Sequence, residues 1–100
     1  MPLLTRKWPF LDYVVGSSPT DKGLYALWKE GELLFVGIAG EDHGIRGCLV
    51  QHFSGEHGPL LKSADHFSWE LSFEPEKRRS EVLDAFEKQR GRPPLGHVKP

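Results

Sequence analysis

The chain has 100 residues, 38% of them hydrophobic, with 13 basic against 14 acidic side chains and a formal charge of -1. That length suits one core and no second domain, and the even balance of charge excludes a global positive field of the kind that holds nucleic acid without selectivity. A single cysteine, Cys48, excludes an internal disulfide, no apolar run approaches the ~20 residues of a membrane span, and the first residues lack the order of a signal peptide. The expectation is a soluble cytoplasmic protein with no membrane contact.

Residues 1–22 carry an aromatic cluster, Trp8, Phe10 and Tyr13, and then the loop-forming Gly16-Ser17-Ser18-Pro19, and they read as a lead-in that packs on the domain edge. From Gly23 the pattern tightens. Leu24-Tyr25-Ala26-Leu27-Trp28 and Leu33-Leu34-Phe35-Val36 are short apolar runs separated by the polar Lys29-Glu30-Gly31-Glu32, the pattern of a β-hairpin covered on both faces. Gly37 closes the second strand.

A helix is expected from Gly44 to Phe53, because at about 100° per residue Ile45, Cys48, Leu49 and His52 share one face. Ser54 to Ser63 reads as a loop containing Gly and Pro. Phe67, Trp69, Leu71 and Phe73 then alternate with Ser68, Glu70, Ser72 and Glu74, which predicts a third strand with one buried face. Pro75 ends it. Glu76 to Gln89 follow as a helix with an apolar stripe of Val82, Leu83 and Phe86 and a stop at Gly91. Lys77, Arg78, Arg79, Lys88, Arg90, Arg92 and Lys99 crowd the last quarter as a local basic patch or, with Glu76, Glu81, Asp84 and Glu87 interspersed, as a solvated helix face. The elements together predict an α+β domain over 23–97, a three-stranded antiparallel sheet flanked by helices, with a short tail at 98–100.

Several landmarks occur in order: Gly23-Leu24-Tyr25, Phe35-Val36-Gly37, Ile45-x-x-Cys48-Leu49-x-x-His52, Ala64-Asp65-His66-Phe67, Arg79-Ser80-Glu81-Val82-Leu83 and Gly91-Arg92-Pro93-Pro94. In these the chain resembles the GIY-YIG nuclease family over most of its length. The resemblance implies a domain that hydrolyses DNA phosphodiester bonds with one divalent ion, magnesium or manganese. It implies that Tyr25 and His52 act on the attacking water, that Glu81 binds the metal, and that Gly37 and His97 lie against the substrate. Such a reaction needs a base, a carboxylate for a hard metal, and a cation for the charge that grows on phosphate.

Three positions depart from the family pattern. Phe35 replaces the second tyrosine, His97 stands where an asparagine is usual, and Cys48 occupies the place of the catalytic arginine. A thiol supplies no permanent cation, and loss of a transition-state charge stabiliser typically costs ~100-fold or more. Arg46 is the nearby candidate to replace that arginine, although two residues along a helix turn its side chain by about 200°. Two functional readings therefore stand: a metal-dependent endonuclease, or the same fold with its chemistry weakened or lost and retained to bind nucleic acid or a protein partner.

Other constellations are weaker. Cys48 and His52, at i and i+4, could form a thiol–imidazole pair, but no third residue is evident. The five histidines show no tight zinc spacing. The three Trp could stack bases but are better read as core.

Overall fold

The computed structural model describes residues 6–97; the tail at 98–100, with Lys99 of the basic crowd, and residues 1–5 of the lead-in lie outside the described residues. The hairpin is built as its sequence suggests, from β2 (Gly23–Lys29) and β3 (Glu32–Ala39). Glu30 and Gly31 form a two-residue turn, both with positive φ (51° and 81°). That is the backbone sense whose twist matches the two strands it joins.

The sheet has four strands rather than the three expected. The lead-in contributes β1 (Trp8–Pro9) and a single helical turn, α1 (Asp12–Val15). With β4 (His66–Leu71) the order is β1-β4-β2-β3, antiparallel throughout. Trp8 pairs with Phe67 and Pro9 with His66, so the lead-in completes the edge beside β4. A two-residue strand containing a proline has no periodicity to read, which is why the sequence pattern did not reveal it.

Helices cover both faces. α2 (Gly44–Phe53) lies where the apolar spacing put it and inserts Ile45, Leu49 and His52, each at most 1% exposed, against the face carrying Tyr25, Leu27 and Phe67. A short turn, α3 (Pro59–Lys62), sits within the expected loop and adds Leu61 to the same cluster. α4 (Pro75–Arg90) covers the other face, packing Val82 and Phe86 on Leu24, Ala26, Trp28, Leu33 and Val36, and it ends at Gly91 in the left-handed conformation. Odd and even residues of β2 thus feed two different cores.

The single-faced reading of 67–73 is corrected by this arrangement. β4 is an interior strand between β1 and β2, and Trp28 of β2 and Arg78 of α4 reach over its second face, so Ser68 and Glu70 are buried while Leu71 and Phe73 are exposed. Burial is made tolerable by partners. Trp28 Nε1 donates to Ser68 Oγ at 3.0 Å, and Arg78 donates to both oxygens of Glu70, Nε at 2.6 Å and Nη2 at 3.2 Å. No helix among the described residues is long and apolar enough to cross a membrane.

Candidate functional site at the β3 edge

The first tripeptide and the helix meet at one hydrogen bond. Tyr25 OH lies 2.8 Å from His52 Nε2, both side chains buried, at 5% and 1% exposure. Gly37 explains how the phenol gets there: β2 and β3 pair Tyr25 with Gly37, and a Cβ at Gly37 would collide with Cζ and the hydroxyl of Tyr25. The glycine of the second tripeptide is therefore the floor on which the tyrosine of the first lies.

Around this pair the rings are continuous. Phe35 lies 6.1 Å from Tyr25 and 5.3 Å from His52, between centroids, and stacks on His97 at 4.7 Å with planes 6° apart. His57, from the loop after α2, reaches 4.4 Å from His52. The structure thus brings Tyr25, Phe35, Gly37, His52 and His97 into one corner.

The electrostatics of the pair oppose easy proton transfer. Burial, followed by the charge of the neighbouring His57, lowers His52 to about 4, so its ring is neutral at pH 7. Burial first and the Cys48 thiol second push the Tyr25 phenol well above its usual range, with Arg79 pulling weakly the other way. Both groups are neutral at pH 7, with Tyr25 donating to Nε2 and His52 carrying its own proton on Nδ1. That Nδ1 is the buried side-chain polar atom without a partner among the described residues. Protonating His52 at pH 7 would cost roughly 4 kcal/mol, so as a base the pair is feeble.

Cys48 lies beside this corner but is not an activated thiol. Burial raises its pKa, the reverse of what a nucleophilic cysteine needs, and the Nε2 of His52 is engaged by Tyr25 instead. Arg46 faces elsewhere. Its Nε donates to the Ser18 carbonyl at 2.8 Å and its backbone N–H to the Pro19 carbonyl, so it ties the start of α2 to the loop before β2.

Glu81 is on α4, across the sheet from the pair. Its carboxylate is 56% exposed and pairs with Arg78 at 3.8 Å, in a shallow depression shared with Ser72, Phe73, Glu74 and Lys77. The flanking Lys77 and Arg78 make a poor setting for a dication. Among the described residues no group of three or more His, Cys, Asp or Glu side chains converges as a metal shell. Magnesium can attach to one carboxylate through its water shell, but here that attachment would be solvent-exposed, on the helix that covers the face of the sheet opposite Tyr25.

The residue that the sequence reading passed over is Arg79. Its Nε donates to the Val36 carbonyl on the outer edge of β3 at 2.9 Å, and its Nη2 stands 3.5 Å from His97 Nδ1. His97 in turn accepts the Val36 N–H on Nε2 at 3.0 Å. Both edge groups of Val36 are therefore closed by side chains, which also protects β3 from pairing with another strand. The signal was present: Arg79 is three residues before Val82, one turn back along the buried stripe, where a basic residue is out of place on a purely structural helix.

Three other arginines of the basic crowd are paired with carboxylates. Arg78 is held by Glu70, and Arg90 and Arg92 both reach Glu32, at 3.8 and 3.0 Å. No protein-family model matches the chain, and no curated protein matches it.

Proposed function

We propose that this chain is a GIY-YIG-type module that binds nucleic acid, DNA in the first instance, at the corner of Tyr25, Phe35, His52 and His97, with little or no hydrolytic turnover. The observation that carries this reading is the closed Tyr25–His52 hydrogen bond. The two groups expected to act on water are bonded to one another, buried, and both neutral at pH 7, with no carboxylate paired to either among the described residues. Phe35 removes a second hydroxyl and Cys48 removes a cation from the same corner. What remains at the surface is the half-buried Phe35–His97 stack, backed by the buried Tyr25–His52 pair and flanked by one guanidinium, a composition suited to receiving an anionic strand rather than to generating hydroxide.

Support for nucleic acid as the ligand comes from the ordered landmarks of the sequence and from the way Gly37 and Tyr25 fit one another. A second reading, a slow endonuclease using magnesium or manganese on Glu81, is favoured by the 2.8 Å contact between Tyr25 and His52, because a phenol and an imidazole so joined can pass a proton. No step of the binding proposal runs through a metal.

The test is fluorescence anisotropy of a labelled DNA oligonucleotide against the purified chain, at low and moderate salt without added metal. The expected result is saturable binding that weakens with salt and is lost when Phe35 is changed to Glu, which sets a negative charge in the corner. Binding unaffected by Phe35→Glu, or none at all, would rule out the corner as the interface.

A further inference from the structure

Arg79 is half-buried, its charge is permanent, and no carboxylate among the described residues pairs with it. Its neighbour in sequence makes the contrast plain, since Arg78 has two hydrogen bonds to Glu70 and a further ion pair with Glu81. The two groups that Arg79 does touch are neutral. The Val36 carbonyl accepts from Nε, and His97, which uses Nε2 to accept the Val36 N–H, carries its proton on Nδ1 and so presents a donor to a donor. Nη1 has no protein partner among the described residues. A guanidinium drawn partly out of water and fixed at one end, yet left without a counter-charge, is completed by an anion.

Its position decides which anion. On α4, residues 79 and 81 are separated by about 200°, so Arg79 is aimed at the β3 edge while Glu81 is aimed away from it. Arg79 is near enough to act on the charge of the Tyr25 phenol, and it abuts His97, whose ring stacks on Phe35. A planar, stacked pair of rings beside a fixed guanidinium offers a base-sized surface next to an oxyanion site.

We infer that Arg79, held on Val36 at the β3 edge, is the residue that binds a phosphodiester at this corner, donating through Nη1 to a non-bridging oxygen while an adjoining base lies against the exposed side of the Phe35–His97 stack. The inference rests on the nucleic-acid reading above for its choice of ligand, and it adds the residue that reads the phosphate. It also gives the corner a built-in cation of its own, on α4 rather than on α2.

The experiment is a ¹⁵N NMR titration of the full chain with the dinucleotide thymidylyl-thymidine and, in parallel, with its uncharged methylphosphonate analogue and with inorganic phosphate. The expected result is saturable movement of the Arg79 Nε–Hε, Val36 amide and His97 signals with the dinucleotide. Affinity should be roughly tenfold or more weaker for the methylphosphonate, as for loss of one charge-assisted hydrogen bond. Arg79→Gln, which can still donate to Val36, should lose binding by the same factor, Arg79→Lys should keep part of it, and Lys77→Gln should leave it unchanged.

Equal binding of the charged and uncharged dinucleotides would overturn the assignment, and this comparison needs only the wild-type chain should Arg79→Gln fail to fold. Inorganic phosphate bound as tightly as the dinucleotide would overturn the diester. If a longer oligonucleotide binds at Phe35 while Arg79 signals stay still, the Arg79 inference fails and the nucleic-acid reading survives. If neither binds, both fail.

Discussion

The two faces of the sheet bury polar groups in opposite ways. Under α4, the Trp28 indole is answered by Ser68, and Glu70 by Arg78, so the hydrogen-bonding groups on that side close among themselves. Under α2, Tyr25 and His52 answer each other and leave Nδ1 of His52 without a partner among the described residues, beside the Arg79 guanidinium, which has no carboxylate among them. A closed network stabilises or specifies a fold, whereas an incomplete one in an otherwise well-satisfied protein marks a place maintained for another purpose. The contrast between Arg78 and Arg79 is the same lesson within two adjacent residues.

The largest effect that would sharpen this contrast is in acid. Because His52 is held at about 4 when folded against about 6.5 when unfolded, the unfolded chain binds the extra proton first as pH falls. Stability is therefore complete above pH 6.5 and is lost between about 6.5 and 4, by roughly 3 kcal/mol from this residue alone. His97, also lowered by burial and by Arg79, acts in the same direction. Chemical denaturation at pH 7.5 and 4.5 measures the difference, and a flat profile would show that His52 is not a buried neutral imidazole.

Breaking the closed network should cost somewhat less. Glu70→Ala leaves Arg78 partly buried without its carboxylate, and we expect a loss of about 2 kcal/mol, at the low end for such pairs because the Arg78 side chain is 39% exposed. Gly37→Ala should cost between about 1 and 2 kcal/mol through collision with the Tyr25 ring. Combining it with Tyr25→Ala should recover much of that collision cost in a double-mutant cycle, and strict additivity would deny the contact.

The smallest effect is the most telling for the comparison. Replacing both members of the open pair, Tyr25→Phe with His52→Phe, removes an incompletely satisfied hydrogen-bonding unit and keeps most of the ring volume, so stability at pH 7 should change by less than about 1 kcal/mol. The same double variant should flatten most of the acid profile. If it destabilises at pH 7 as strongly as Glu70→Ala, the two faces are alike and the pair is ordinary core.

How much of this was legible in the sequence follows from what each residue had to satisfy. The hairpin and both long helices showed themselves because apolar spacing and turn residues act locally, and α2 spans the residues its pattern marked. β1 did not, since two residues beside a proline acquire strand geometry only from their neighbour β4. Ser68 and Glu70 looked solvent-facing because their types are polar, and only the second covered face, with Trp28 and Arg78 on it, makes them interior. At the site, Tyr25, His52, Phe35, Gly37 and His97 come together, while Glu81 and Arg46, singled out with them in the sequence, lie apart. Arg79 was hidden among basic neighbours, and its distinction from Arg78 depends on which side of α4 each one faces.

One measurement bears most directly on the central claim that this corner binds nucleic acid without appreciable cleavage. Supercoiled plasmid is incubated with the wild-type chain and with Glu81→Ala, each with magnesium or manganese, while mobility shift is followed on the same samples. The expected result is a shift in mobility with the plasmid left intact by both proteins. Efficient nicking by the wild type that Glu81→Ala abolishes would contradict it, and would place a working metal site at Glu81 on α4, across the sheet from Tyr25 and His52.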